Sequence, residues 1–95
     1  MTIKLDEIEK ITLLLLSKLR EKNGNEIALK NDYYWSIPAD DMYNPYQEPK
    51  HITVGQLSDD LANVQRLCES PDDAISYDLE RIASILKALS LSTWY

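Results

Sequence analysis

Apolar side chains at Ile8, Ile11, Leu15 and Leu19 fall three and four residues apart, the spacing of one helix stripe. They predict a first helix from about Leu5 to Lys22, free of Gly and Pro, with Asp6, Glu7 and Glu9 near its start and Lys18, Arg20 and Lys22 near its end. Gly24 is placed to stop it. Leu13, Leu14 and Leu16 widen the stripe well past one face, and a helix apolar nearly all round is buried on more than one side. A short chain has little material for that, so a second copy covering the Leu13, Leu14, Leu16 face is expected.

After Asn25 the period shortens to two. Ile27 and Leu29 alternate, as do Tyr33, Trp35 and Ile37, with Asn31-Asp32 as turn chemistry between them. This predicts a β-hairpin. A loop with an odd number of residues pairs Leu29 with Trp35 on one inward face and leaves Tyr34 and Ser36 outside, because a one-residue slip exchanges the faces. Pro38 to Ile52 has three prolines and no sustained period, so it is a long loop with room for one 3₁₀ turn at Ala39–Met42. Val54, Leu57, Leu61, Val64 and Cys68 then predict a helix over 54–69, opened by a capping box at Thr53 and Gln56. Ser70, Pro71, Asp72 and Asp73 open a last helix that runs to about Leu89. Trp94 and Tyr95 are expected to pack back onto a helix or a second subunit. The sum is one domain, 1–95, of α+β class: three main helices and one β-hairpin in the order α-β-β-α-α, mostly helical.

Charge narrows the function. The 95 residues carry a net charge of −6. Residues 1–22 hold five Lys/Arg against four Asp/Glu, and the remainder five against twelve, so the acidity lies beyond residue 22. Such a surface repels phosphate backbones and anionic lipid, which argues against nucleic-acid and membrane partners. Cys68 is the only cysteine, so no internal disulfide can form. With no basic segment ahead of a long apolar run, neither a signal peptide nor a membrane span is expected, and the cytoplasm is the default location.

The candidate surface is the segment Asp32 to Pro49, which collects five of the eight aromatic residues. Trp35, on the inward hairpin face, is expected to serve the core. Tyr43 and Tyr46 either cover the hairpin or anchor a partner, rimmed by Asp40, Asp41 and Glu48, since aromatics supply contact area at low entropy cost. Asp59 and Asp60 are a solvated helix face, and Asp59 meets Asp40 or Asp41 only if the loop folds over that helix. The candidate binding residues are thus Tyr43, Tyr46, Trp35, Asp40, Asp41, Asp59 and Asp60. His51 lacks nearby companions for a zinc site, and Cys68 on the apolar stripe is expected to be buried. No phosphate loop, nucleophile elbow or metalloprotease motif is present, so no catalytic residue, metal or cofactor is assigned.

The strings YYWSIP, YNPYQEP, TVGQLSDDL and DLERIASILKAL resemble a family of short uncharacterised bacterial proteins, largely cyanobacterial. The resemblance covers Tyr33 to Leu89, with GQLSDDL its most specific part. The family is a domain of unknown function, so the resemblance implies no activity. The residues themselves point to a small non-catalytic protein-interaction module, dimeric through the first helix. One alternative is an acidic inhibitor or immunity-type protein that masks a basic partner. Another is a metal-dependent enzyme using its acidic residues.

Overall fold

Helix α1 spans Leu5–Asn23, close to the predicted bounds. Gly24 ends it with φ 78° and ψ −175°, a conformation open only to glycine, and its N–H donates to the Arg20 carbonyl at 2.8 Å. The computed structural model describes residues 1–93, so the expected docking of Trp94 and Tyr95 lies outside the described residues. The remaining elements are strand β1 (Tyr33–Ser36), the helical turn α2 (Ala39–Met42), strand β2 (Thr53–Gln56), α3 (Leu57–Gln65) and α4 (Tyr77–Thr93). Single 3₁₀ turns at Arg66–Cys68 and Pro71–Asp73 join α3 to α4. The architecture is α+β and mostly helical, and its main elements follow the order α-β-β-α-α.

The strand partner differs from the expected one. Residues 25–32 form no strand, and β1 pairs antiparallel with β2, in the register Tyr34↔Gly55 and Trp35↔Val54. The Thr-x-x-Gln box at Thr53 therefore does not cap a helix. Thr53 and Val54 are β-branched and lie opposite Ser36 and Trp35, a cross-strand arrangement that favours extended backbone. The faces are exchanged as well. Trp35 is 73% exposed with Val54 beside it on the outer face, whereas Tyr34 and Ser36 are half-buried.

Helix α3 starts three residues later than predicted, and Asp32, 26 residues upstream of Ser58, caps it. The Leu57 N–H donates to the Asp32 carbonyl at 2.7 Å. The Ser58 N–H and hydroxyl donate to the Asp32 carboxylate at 2.6 and 2.7 Å. A remote aspartate thus satisfies orphan donors of the first helical turn. The last helix also starts late. Ala74 is extended after the 3₁₀ turn, and α4 begins at Tyr77.

The core is thin. Among the described residues the buried apolar ones are Leu19, Leu57 and Val64, and no large side chain is fully enclosed. Helix α3 packs against α4, while α1 touches the rest mainly at its C-terminal end. There Leu16, Leu19, Ile27 and Leu89 surround a cavity of about 210 Å³. Two expectations fall with this arrangement. Ile8, Ile11 and Leu15 were expected in the core but are each 44–48% exposed, because among the described residues no other helix or strand packs closely along this part of α1. Cys68 is exposed too, since the helix tightens to three residues per turn at Arg66 and rotates it off the Leu57–Val64 stripe.

Candidate functional site

Two polar clusters hold the β-ribbon and the helices together. In the first, the Tyr34 ring crosses over Gly55 and fills the space a Cβ would need there. Its hydroxyl donates to Asp60 Oδ2 at 2.5 Å. Gly55 is therefore required by close approach, not by backbone conformation. Burial raises the Tyr34 pKa, and the Asp60 acceptor adds to the shift by favouring the protonated phenol. Asp60, expected on a solvated face, is buried under this contact. Beside it Gln56 Nε2 donates to Asp32 at 2.9 Å. The Ser58 hydroxyl, then Gln56 and the Ser58 N–H, hold the Asp32 carboxyl below its ordinary range.

The second cluster centres on Asp78, which is 5% exposed. Arg66 grips it with both nitrogens, at 3.0 and 2.9 Å, and Arg81 adds a third contact at 2.7 Å. The Ile75 N–H donates to Asp78 Oδ2 at 2.9 Å, which pins the entrance of α4. Arg66 also reaches the carbonyls of Asn63 and Asp73, and Arg81 lies over the Tyr77 ring, 4.7 Å from its centroid. The Arg66 bonds, followed by the Ile75 N–H, hold the Asp78 carboxyl well below the usual range. Among the described residues no buried side-chain polar atom lacks a hydrogen-bond partner. Both clusters are architecture, and neither poises a group for proton transfer.

A groove of about 980 Å³ adjoins both clusters, between β1, the α2 turn and α4. Tyr33, Trp35, Tyr43, Tyr77, Leu79 and Leu91 are among the residues that line it, and Tyr34 and Arg81 reach it from the clusters. The structure thus brings two of the candidate binding residues, Trp35 and Tyr43, to one place. It does not bring the others. Tyr46 is 93% exposed and lines no part of the groove. Asp40 is exposed and Asp41 half-buried, both off the groove. Asp59 points to solvent from α3, and Asp60 is committed to Tyr34. His51 is exposed. Among the described residues, no three His, Cys, Asp or Glu side chains converge as a metal site would require.

Sequence reasoning missed Asp32, Tyr34, Arg66 and Asp78. Asp32 carried a usable signal, since an Asp that begins an aromatic strand can cap a distant helix as readily as it can make a turn. Arg66 and Asp78 carried none, because each looks like an ordinary solvated helix charge.

No family model, curated protein or solved structure matches the chain. No helix among the described residues is long and apolar enough to cross a membrane.

Proposed function

We propose that the protein is a non-catalytic interaction module that works as a homodimer, with α1 as the self-association face and the aromatic groove as the surface offered to other proteins. One observation carries the reading. The chain exposes 8396 Å², whereas a folded monomer of 11.0 kDa is expected to expose about 5,600 Å². The excess is more than three times the roughly 800 Å² that one partner contributes to a standard interface. Dimensions agree with it, for the radius of gyration is 15.0 Å, against about 12 Å for a compact chain of this length. On α1, Leu13 and Leu14 are 61% and 57% exposed. Leu16 is half-buried beside the small cavity, so it belongs to the inner side of the helix. The lone cysteine supports a cytosolic setting.

Sedimentation velocity over a wide concentration range tests the reading. A concentration-dependent dimer is expected, reduced to monomer by Leu14→Glu. A strict monomer at the highest attainable concentration overturns it.

A second reading, an inhibitor or immunity-type protein for a basic partner, is supported by the exposed Asp40 and Asp59 and the acidity beyond residue 22. It requires an association rate that falls steeply with salt. A salt-insensitive association rate counts against it.

A further inference from the structure

We infer that two copies of α1 pair antiparallel through the line Ile8, Ile11 and Leu15, with Glu7 of one copy meeting Lys18 of the other. The inference rests on the self-association proposed above and adds to it an orientation and a set of partners.

The line follows from spacing and exposure together. Ile8, Ile11 and Leu15 recur at three and four residues, all three are open, and Leu14 adjoins them at 57% exposure. This is the seam spacing of paired helices. Continued at the same spacing, the line meets Lys4 before Ile8, and Lys18 and Lys22 beyond Leu15. In a parallel pair each lysine would face its own copy, which is repulsive. In an antiparallel pair centred between Ile11 and Leu15, the Lys18 stem crosses Ile8 of the partner, and its ammonium comes near the partner's Glu7. Lys4 comes opposite the partner's Lys22, beside the Glu21 that pairs with Lys18 on its own helix at 3.6 Å, so antiparallel pairing keeps one like contact at each end where parallel pairing sets Lys4, Lys18 and Lys22 each on its own copy.

The ends of the helix agree with this orientation. Residues 4–10 carry two Lys against three Asp/Glu, a net −1, and residues 18–22 carry three Lys/Arg against one Glu, a net +2. Antiparallel pairing sets −1 against +2 at both ends. Parallel pairing sets like on like at both. The two-fold arrangement also closes on itself, whereas docking of α1 onto the acidic body of another copy is heterologous and grows into open chains.

Charge reversal tests the orientation. Glu7→Lys and Lys18→Glu, each alone, convert two attractions per dimer into repulsions, and each is expected to raise the dimer Kd roughly tenfold. The double variant Glu7→Lys/Lys18→Glu restores the attraction across the pair, and its Kd is expected to return to within about threefold of the parent. Both substitutions oppose the dipole of their own helix, so loss of helicity, followed by circular dichroism, would work against rescue and cannot imitate it. A dimer indifferent to the single reversals, or a double variant weaker than either single one, overturns the antiparallel pairing while leaving self-association standing. Assemblies that grow beyond dimer with concentration also overturn it. A parent chain that stays monomeric removes both.

Discussion

Helix α1 and the α3–α4 pair make opposite use of apolar sequence. α1 is rich in leucine and isoleucine, yet Leu19 is its only buried residue. The segment around α3 is shorter and more acidic, yet it contributes Leu57, Val64 and the buried Asp60. The packing around α3 is reinforced by polar contacts, in which Asp32, Tyr34, Arg66 and Asp78 tie the ribbon, α3 and α4 to one another. An apolar stripe records a demand for cover. Directional bonds help to hold in place the elements that supply it.

The contrast breaks first under leucine truncation. Leu57→Ala is expected to lose about 2–4 kcal/mol in urea unfolding, a buried-leucine penalty. Leu13→Ala, measured dilute enough to be monomeric, should stay within about 0.5 kcal/mol of the parent. Equal losses would mean that α1 is packed as firmly as α3.

The next effect belongs to the Tyr34 crossing. Tyr34→Phe strands the buried Asp60 acceptor and is expected to lose about 1–3 kcal/mol by the same measurement. Gly55→Ala drives a methyl into the tyrosine ring and should lose a similar amount, about 1–3 kcal/mol. Ser36→Ala, one step along the ribbon, serves as the control and should be nearly silent.

Acid provides a graded probe of the same ties. Asp32 and Asp78 titrate lower in the folded chain than in the unfolded one, so the folded state holds fewer protons in that interval. Their stabilisation is complete above the unfolded carboxylate range, near pH 4, and drains away as pH falls further toward the folded values. Thermal melts should therefore change little between pH 7 and 5 on their account and drop below about pH 4. Asp78→Asn should flatten that drop. The smallest effect is expected at Cys68, whose thiol is exposed. Cys68→Ser should shift stability by less than about 0.5 kcal/mol, and the native thiol should react with a disulfide reagent nearly as fast as in the unfolded chain.

Elements specified by their neighbours were legible from the residues alone. The bounds of α1, its glycine stop and the single turn at Ala39–Met42 each rest on contacts within a few positions. The strand partner was not legible, because Ile27 and Leu29 alternate as well as Thr53 and Val54 do, and only the wider assembly chooses between them. Once β2 replaced the expected strand, the faces of β1 were exchanged. Trp35 moved from the anticipated interior to the groove, and Tyr34 moved inward. Two of the seven candidate binding residues, Trp35 and Tyr43, line the groove in the open and not at a core edge. The acidic residues did not join them. Asp60 was claimed by a tyrosine that periodicity had assigned to solvent.

The remote cap on α3 closes a loop in which residues 45–48 are exposed. Asp32 and Ser58 pin the two ends of a chain excursion whose middle carries the open Tyr46. Doubling such an excursion costs only about 0.6 kcal/mol of closure entropy. An affinity tag or a reporter peptide spliced in after Tyr46 should therefore leave the ribbon and both helices intact, giving a labelled protein whose α1 and aromatic groove remain free for capture experiments.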